Sequence, residues 1–209
     1  MTQMMNPPLR AGKRARAKAA NRQAILDAAR AVFARIGYEA TNIRDIIRET
    51  DLASGTFYNY FKSKEEVFEA LANDSVKRFR PLLVKVREEA QDLEGYIRAA
   101  YGAYFGFLAE ENDAAIADGT PHMALIGVRV DTPEMQTVSD EIRTDLEAVL
   151  QKTGHGGIDT DYLTAAAIGI AREMGDHMLK RRPLDPAMAA EFATQIIITS
   201  IDALAKRSG

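Results

Sequence analysis

Between positions 54 and 61 the chain reads Ser-Gly-Thr-Phe-Tyr-Asn-Tyr-Phe. On a short helix Phe57 and Phe61 turn inward together, while Ser54, Gly55, Thr56, Tyr58, Asn59 and Tyr60 present hydrogen-bonding groups and bare backbone outward. This is recognition chemistry, suited to base edges and phosphate oxygens. Catalytic patterns are scarce elsewhere. His122, His155 and His177 lie far apart and make no HExxH pattern, and the chain has no GxSxG, Walker loop or GxGxxG. The glycine-rich loop at 154–157 contains no phosphate-binding lysine. With no cysteine, disulfide scaffolds, thiolate nucleophiles, iron–sulfur clusters and Cys-ligated zinc are excluded. No cofactor or metal is expected, and enzyme function is not the expected reading. A helical enzyme built on scattered carboxylates stays as a remote alternative.

Charge sorts along the chain. The 209 residues carry a net charge of −3, but residues 1–22 hold six basic side chains and no acid, residues 23–80 nine of each, and residues 81–209 twelve basic against twenty-one acidic. One end thus suits a polyanion that the other end repels. A solubilising tail would give the same count. The 46% hydrophobic and 27% charged residues are ordinary for a globular protein. No run approaches the roughly 18 consecutive apolar residues of a membrane span. No apolar stretch follows the amino-terminal charges, so a secretory signal is not expected and a cytoplasmic location is.

The elements that must position the 54–61 groups read as helices throughout, about nine in an all-α chain. Asn21 caps a helix carrying Ile25, Ala29, Val32, Phe33 and Ile36, closed by Gly37. Thr41 opens a short helix with Ile43, Ile46 and Ile47, and a third spans about Ser54 to Phe61. Two short helices joined by a tight turn and braced by longer ones form a helix-turn-helix. Ser63-Lys64-Glu65-Glu66 is a capping box for a fourth helix, which Pro81 stops. Beyond it, Asp92 caps a run bearing Ile97, Tyr101, Tyr104, Phe105 and Leu108. Thr132-Pro133 starts a helix to about Lys152, Asp159 or Thr160 caps one to about Arg181, and Asp185-Pro186 caps the last. One short helix is expected between Ala115 and Val130. The division is a flexible basic arm over 1–20, a helix-turn-helix domain over 21–66, and a larger helical ligand-binding and dimerisation domain over 67–209.

From Ile25 to Leu71 the chain resembles the DNA-binding domain of the TetR family of bacterial transcriptional regulators. The resemblance rests on Ala28-Ala29, Phe33, Gly37-Tyr38, Thr41, Ile46, the run Gly55 to Phe61, and Ser63-Lys64-Glu65. It implies a homodimeric regulator with helix-turn-helix heads on double-stranded DNA and a ligand-sensing body, most simply a repressor released from a palindromic operator by a small-molecule effector. Carried over by position, it makes Arg44, Ser54, Gly55 and Tyr58 the candidates for base contacts. Thr41, Thr56, Tyr60 and Lys64 become candidates for phosphate contacts. Two departures stand out. Thr50-Asp51 replaces the usual Ala-Gly turn, so a left-handed Asp51 is expected, and Ala53 sits where Ser is common.

In the body, Tyr96, Tyr101, Tyr104 and Phe105 share one helix with Gly102 and Gly106, and aromatic walls separated by small residues can leave a cavity. Met123, Ile126, Met135 and Met174 would complete an apolar pocket, with His122, Arg129 and His177 as polar contacts, for a lipophilic or aromatic effector. Ordinary core packing explains the same pattern. By the resemblance, the last two helices supply the dimer interface, through Leu163, Ala167, Ile170 and Met174 on one and Phe192, Ile196 and Thr199 on the other. No membrane partner is expected. A ligand-independent or architectural DNA-binding protein is the alternative function.

Overall fold

The computed structural model describes residues 12–113 and 132–208. Eight helices and no strands appear among them: α1 Lys13–Ile36, α2 Ile43–Arg48, α3 Ser54–Phe57, α4 Lys64–Glu89, α5 Leu93–Glu111, α6 Pro133–Lys152, α7 Thr160–Lys180 and α8 Pro186–Ser208. The helix expected between Ala115 and Val130 lies outside the described residues, as do Arg10, His122, Met123, Ile126 and Arg129.

Most expected caps are present. The side chains of Asp92, Thr132 and Asp159 accept backbone N–H groups from the first turns of α5, α6 and α7, and Asp185 does the same for α8. Ser63 caps α4 through the Glu66 N–H, but Glu66 returns its bond to the Lys62 N–H instead of to Ser63. Gly37, at φ 81°, closes α1 in a conformation that costs other residues.

Five local expectations are corrected. α3 ends at Phe57 and residues 58–60 form a turn, where a helix to about Phe61 is expected. α1 begins at Lys13, not after Asn21, because Ala15, Ala17, Ala19 and Ala20 alternate with Lys and Arg, all strong helix formers. The described part of the basic arm is therefore helix. α4 runs through Pro81, whose missing N–H costs about 3 kcal/mol in an isolated helix. Burial of Phe79, Leu83 and Val86 around it holds the helix together. The cap of α2 is Asn42, which exchanges two hydrogen bonds with Asp45, and not Thr41. No described residue other than glycine has positive φ, so Asp51 is not left-handed.

Two hydrophobic cores form, and α4 belongs to both. Its first half gives Val67, Phe68, Leu71 and Ala72 to the core of α1–α3, beside Ile25, Phe33, Ile46, Phe57 and Phe61. Phe33, Tyr38 and Phe68 pack there as an aromatic triangle with centroids 4.7 to 5.7 Å apart. Its second half gives Val76, Phe79, Leu83 and Val86 to the core of α5–α8. Within that core Gly175 lets α7 approach α5: a Cβ there would stand 2.6 Å from Leu108 Cδ1 and 3.3 Å from Tyr104 Cε1. Head and body are thus not joined by a loose linker. One continuous helix carries the head.

Candidate functional site

The head exposes the residues that the recognition chemistry requires. Phe57 and Phe61 are buried as expected, which fixes the rotation of α3 and turns Ser54, Gly55 and Tyr58 outward, Tyr58 with 57% of its surface exposed. No neighbouring atom lies within 4 Å of a Cβ built on Gly55. Nothing internal requires glycine there, so it is consistent with an approaching external surface. Arg44 on α2 is exposed and has no hydrogen bond or ion pair among the described residues. Its guanidinium is able to bond guanine through two N–H groups. Thr56 and Tyr60 are half-buried, and Tyr60 packs partly against the head core.

Two expected phosphate contacts are engaged otherwise. Thr41 is only 2% exposed, and its hydroxyl donates to the Gly37 carbonyl at 2.7 Å. Lys64 Nζ donates to the carbonyls of Tyr38, Glu39 and Thr41 at 3.0, 3.3 and 3.0 Å and lies 4.5 Å from the Tyr38 ring centroid. An ammonium has three donors, so none is left for a phosphate in this conformation. Lys64 ties the start of α4 to the loop after α1. The Tyr38 phenol donates to Glu65 at 3.2 Å, and partial burial together with that carboxylate pushes its pKa up to about 12. The structure adds a basic face that sequence reasoning assigned to a flexible arm. Arg14, Arg16, Lys18 and Arg22 are exposed on α1, and the Arg22 guanidinium lies 5.3 Å from the Phe61 ring.

The body contains a cavity of about 400 Å³ between α4, α5, α6 and α7. Tyr96, Tyr101, Tyr104 and Met135 line it as expected, whereas Phe105 is fully buried behind the wall. Met174 and His177 line a different pocket, beside Arg181, Pro183 and Phe192. Sequence reasoning missed Phe79 and Leu83 of α4, Gln136, Ser139, Ile142 and Leu146 of α6, and Arg172 of α7. The three tyrosines differ in their hydroxyls. Tyr101 donates to the Ala167 carbonyl at 3.1 Å. Tyr96 donates to Asp145 at 3.1 Å, and Asp145 pairs with Arg87 of α4 at 2.6 Å. The Tyr104 hydroxyl has no partner among the described residues, although the residue is 7% exposed. Burial raises all three phenols above their ordinary value, so each remains a neutral donor.

The dimer expectations divide by face. Leu163 and Ala167 are buried in the chain's own core, and Ile170 and Met174 pack partly against it. Phe192, Ile196 and Thr199 face outward on α8 with Met188, and Phe192 is 62% exposed. By length and composition α8 is apolar enough to cross a membrane. Its apolar residues divide between a face packed on α5 and a face that no other described residue covers.

Comparison with known proteins agrees with this architecture. The family model for bacterial regulatory proteins of the tetR family matches residues 25–71. An uncharacterised HTH-type transcriptional regulator, YdgC of Bacillus subtilis, is 25% identical over 187 residues, which cover 85% of this chain and 91% of that protein. The HTH-type transcriptional repressor KstR2 of Rhodococcus jostii is 30% identical over 90 residues, 41% of this chain and 44% of that protein. Among solved structures, the fatty acid degradation regulator FadR from Bacillus halodurans superposes with a TM-score of 0.63 at 22% identity, over 90% of this chain and 96% of that one. FadR from Bacillus subtilis, solved with stearoyl-CoA, does so with a TM-score of 0.64 at 18% identity, over 85% and 97%. The amino-terminal head thus matches the tetR family of bacterial regulatory proteins over residues 25–71, and the described chain shares the all-helical fold of these solved regulators.

Proposed function

We propose that the chain is a cytoplasmic, homodimeric repressor that binds a palindromic operator through α2 and α3 and is released by a small lipophilic or aromatic effector held in the body cavity. The observation that carries this reading is the double membership of α4, whose first half packs the DNA-reading head and whose second half walls the cavity. Arg44, Ser54, Gly55 and Tyr58 read base edges, Thr56 and Tyr60 meet the backbone, and the basic face of α1 adds charge beside them. The uncovered stripe of Met188, Phe192, Ile196 and Thr199 on α8 forms the centre of a two-fold interface, and two-fold symmetry calls for an inverted-repeat site. The printed name of the KstR2 relative supports repression, and the stearoyl-CoA bound to a structural neighbour supports an apolar effector.

The test is selection of genomic fragments by the full chain, then footprinting and analytical ultracentrifugation of the complex. One palindromic site bound by two chains is the expected result. Only salt-sensitive, sequence-blind binding would favour an architectural DNA binder and leave the cavity unexplained.

A further inference from the structure

Three features of the cavity wall bear on what it holds. Most of the lining is apolar, including Phe79, Leu83, Ile97 and Ile142. Arg172 is the one charged side chain among the described lining residues, which offer a cation no carboxylate. Arg172 approaches its neighbour Glu173 at 3.6 Å, a contact too long to saturate a guanidinium with five donors. The third feature is Tyr104. Its two neighbours in the wall, Tyr96 and Tyr101, satisfy their hydroxyls within the protein, and Tyr104 does not.

The orphan phenol and the cation share one end of the cavity. Gly175 lies one turn beyond Arg172 on α7, and a Cβ placed on it would be 3.5 Å from the Tyr104 hydroxyl. The charge of Arg172 also acts on that phenol. Asp176 acts on the phenol more strongly than Arg172 does, and Glu111 acts on it too, but both carboxylates lie outside the lining. Both side chains, Tyr104 and Arg172, line the cavity, and Arg172 is 24% exposed, so a ligand acceptor placed there could take a hydrogen bond from the free phenol and a charged one from the guanidinium. A neutral acceptor would satisfy the phenol alone. An organic cation would be repelled by Arg172.

We infer that the effector is a small hydrophobic carboxylate, its hydrocarbon body against the aromatic and aliphatic wall and its carboxylate bonded by Tyr104 and Arg172. This rests on the reading of the cavity as the effector site. A volume of about 400 Å³ suits a free acid of modest size and would leave a bulky thioester carrier outside.

The test uses the full chain and calorimetric titration with decanoate, 4-phenylbutyrate and cyclohexanecarboxylate, each beside its primary alcohol and its CoA thioester. At least one carboxylate is expected to bind tenfold or more tighter than its alcohol, as for a hydrogen bond to a charged group. Arg172→Gln should reduce that preference by about tenfold while leaving the alcohol's affinity unchanged, and Tyr104→Phe should weaken the carboxylate by more than it weakens the alcohol. Equal binding of acid and alcohol overturns the carboxylate inference and keeps the apolar-effector reading. So does binding of a thioester whose free acid does not bind. Failure of every probe, in a protein whose helical circular dichroism is intact, overturns both. Because Tyr104→Phe keeps the ring against Gly175, its preference decides the matter should Arg172→Gln not fold.

Discussion

Replacement of Lys64 by Met separates two physical roles for one cation. The family pattern makes Lys64 a phosphate contact, but here its three donors go to carbonyls in the loop that leads from α1 to α2, and its charge lies over the Tyr38 ring. Hydrogen bonds from charged groups contribute about 1.5–3 kcal/mol each when buried. Lys64 is half-exposed, so solvent screening cuts the set of three to about 2 kcal/mol in total, to which the cation–π contact adds about 0.5 kcal/mol. Met keeps the aliphatic stem against the loop and removes only the charge and donors. For a chain of about this size, a loss of about 2.5 kcal/mol lowers the melting temperature by roughly 5–10 °C. Operator affinity measured well below that temperature, over a series of salt concentrations, should retain the slope of the parent protein. A phosphate contact predicts the reverse, an unchanged melting temperature and a slope shallower by about one. That result would refute the assignment of Lys64 as a clasp.

Gly55→Ala places a methyl group in open space on a helical turn, so it should leave thermal stability equal or raise it by up to about 1 kcal/mol while weakening operator binding; unchanged affinity in footprint titrations would remove α3's start from the DNA surface. Phe192→Glu should yield a folded monomer in sedimentation velocity, since the side chain is 62% exposed and no core contact depends on it; a persisting dimer would place the interface elsewhere. At high pH, Tyr38, Tyr96, Tyr101 and Tyr104 act together: each phenol titrates higher folded than unfolded, so the native state holds more protons. Their contribution is complete below pH 10.0, the ordinary tyrosine value, and is lost as pH rises through and beyond it. Urea midpoints should fall in that range, and less so for Tyr38→Phe; a flat profile would contradict the burial of these phenols.

The head was legible in the sequence because its signals are local. Phe57 and Phe61 fix the face of α3 from their spacing alone, and the caps at Asp92, Thr132 and Asp159 follow from residue type. What the sequence hid depends on contacts distant along the chain. Thr41 looks like an available hydroxyl until the loop folds it against the Gly37 carbonyl, and Lys64 looks free until residues 38–41 arrive around it. Pro81 reads as a stop because helix propensity is local, whereas the burial that overrides it comes from α5 and α6. The cavity was half legible. Its tyrosines stand out on one aromatic helix, but Ser139, Ile142 and Leu146 form an amphipathic stripe indistinguishable from ordinary core, and Arg172 reads as a solvated helix residue. Leu163 and Phe192 show the same ambiguity at the proposed interface, where an apolar stripe does not say which neighbour it meets.

A cavity can influence a head only through elements whose two positions it distinguishes. α4 meets that condition from both sides. Tyr96 in the cavity wall holds Asp145, and Asp145 holds Arg87 near the carboxy-terminal end of α4, so displacement of the Tyr96 ring acts directly on the helix that carries the head. Met135 gives a second route, since it lines the cavity and packs against both cores. Between these points, where α4 passes from one core to the other, Ser75 and Arg78 both bond Glu111 of α5, while Asp74 bridges Arg78 to Arg30 of α1. The carbonyl oxygen of Asn73 sits buried beside them with no hydrogen bond. An unsatisfied buried acceptor costs about 1–3 kcal/mol. That is the order of a typical coupling energy between two sites. A shift of α4 that hydrated Asn73 would recover this cost while exchanging the exposed Asp74 pairs, worth little each, and disturbing the Glu111 carboxylate, which is only 8% exposed. Movement of α4 at this junction therefore sets the hydration of Asn73 against the loss of the Glu111 contacts.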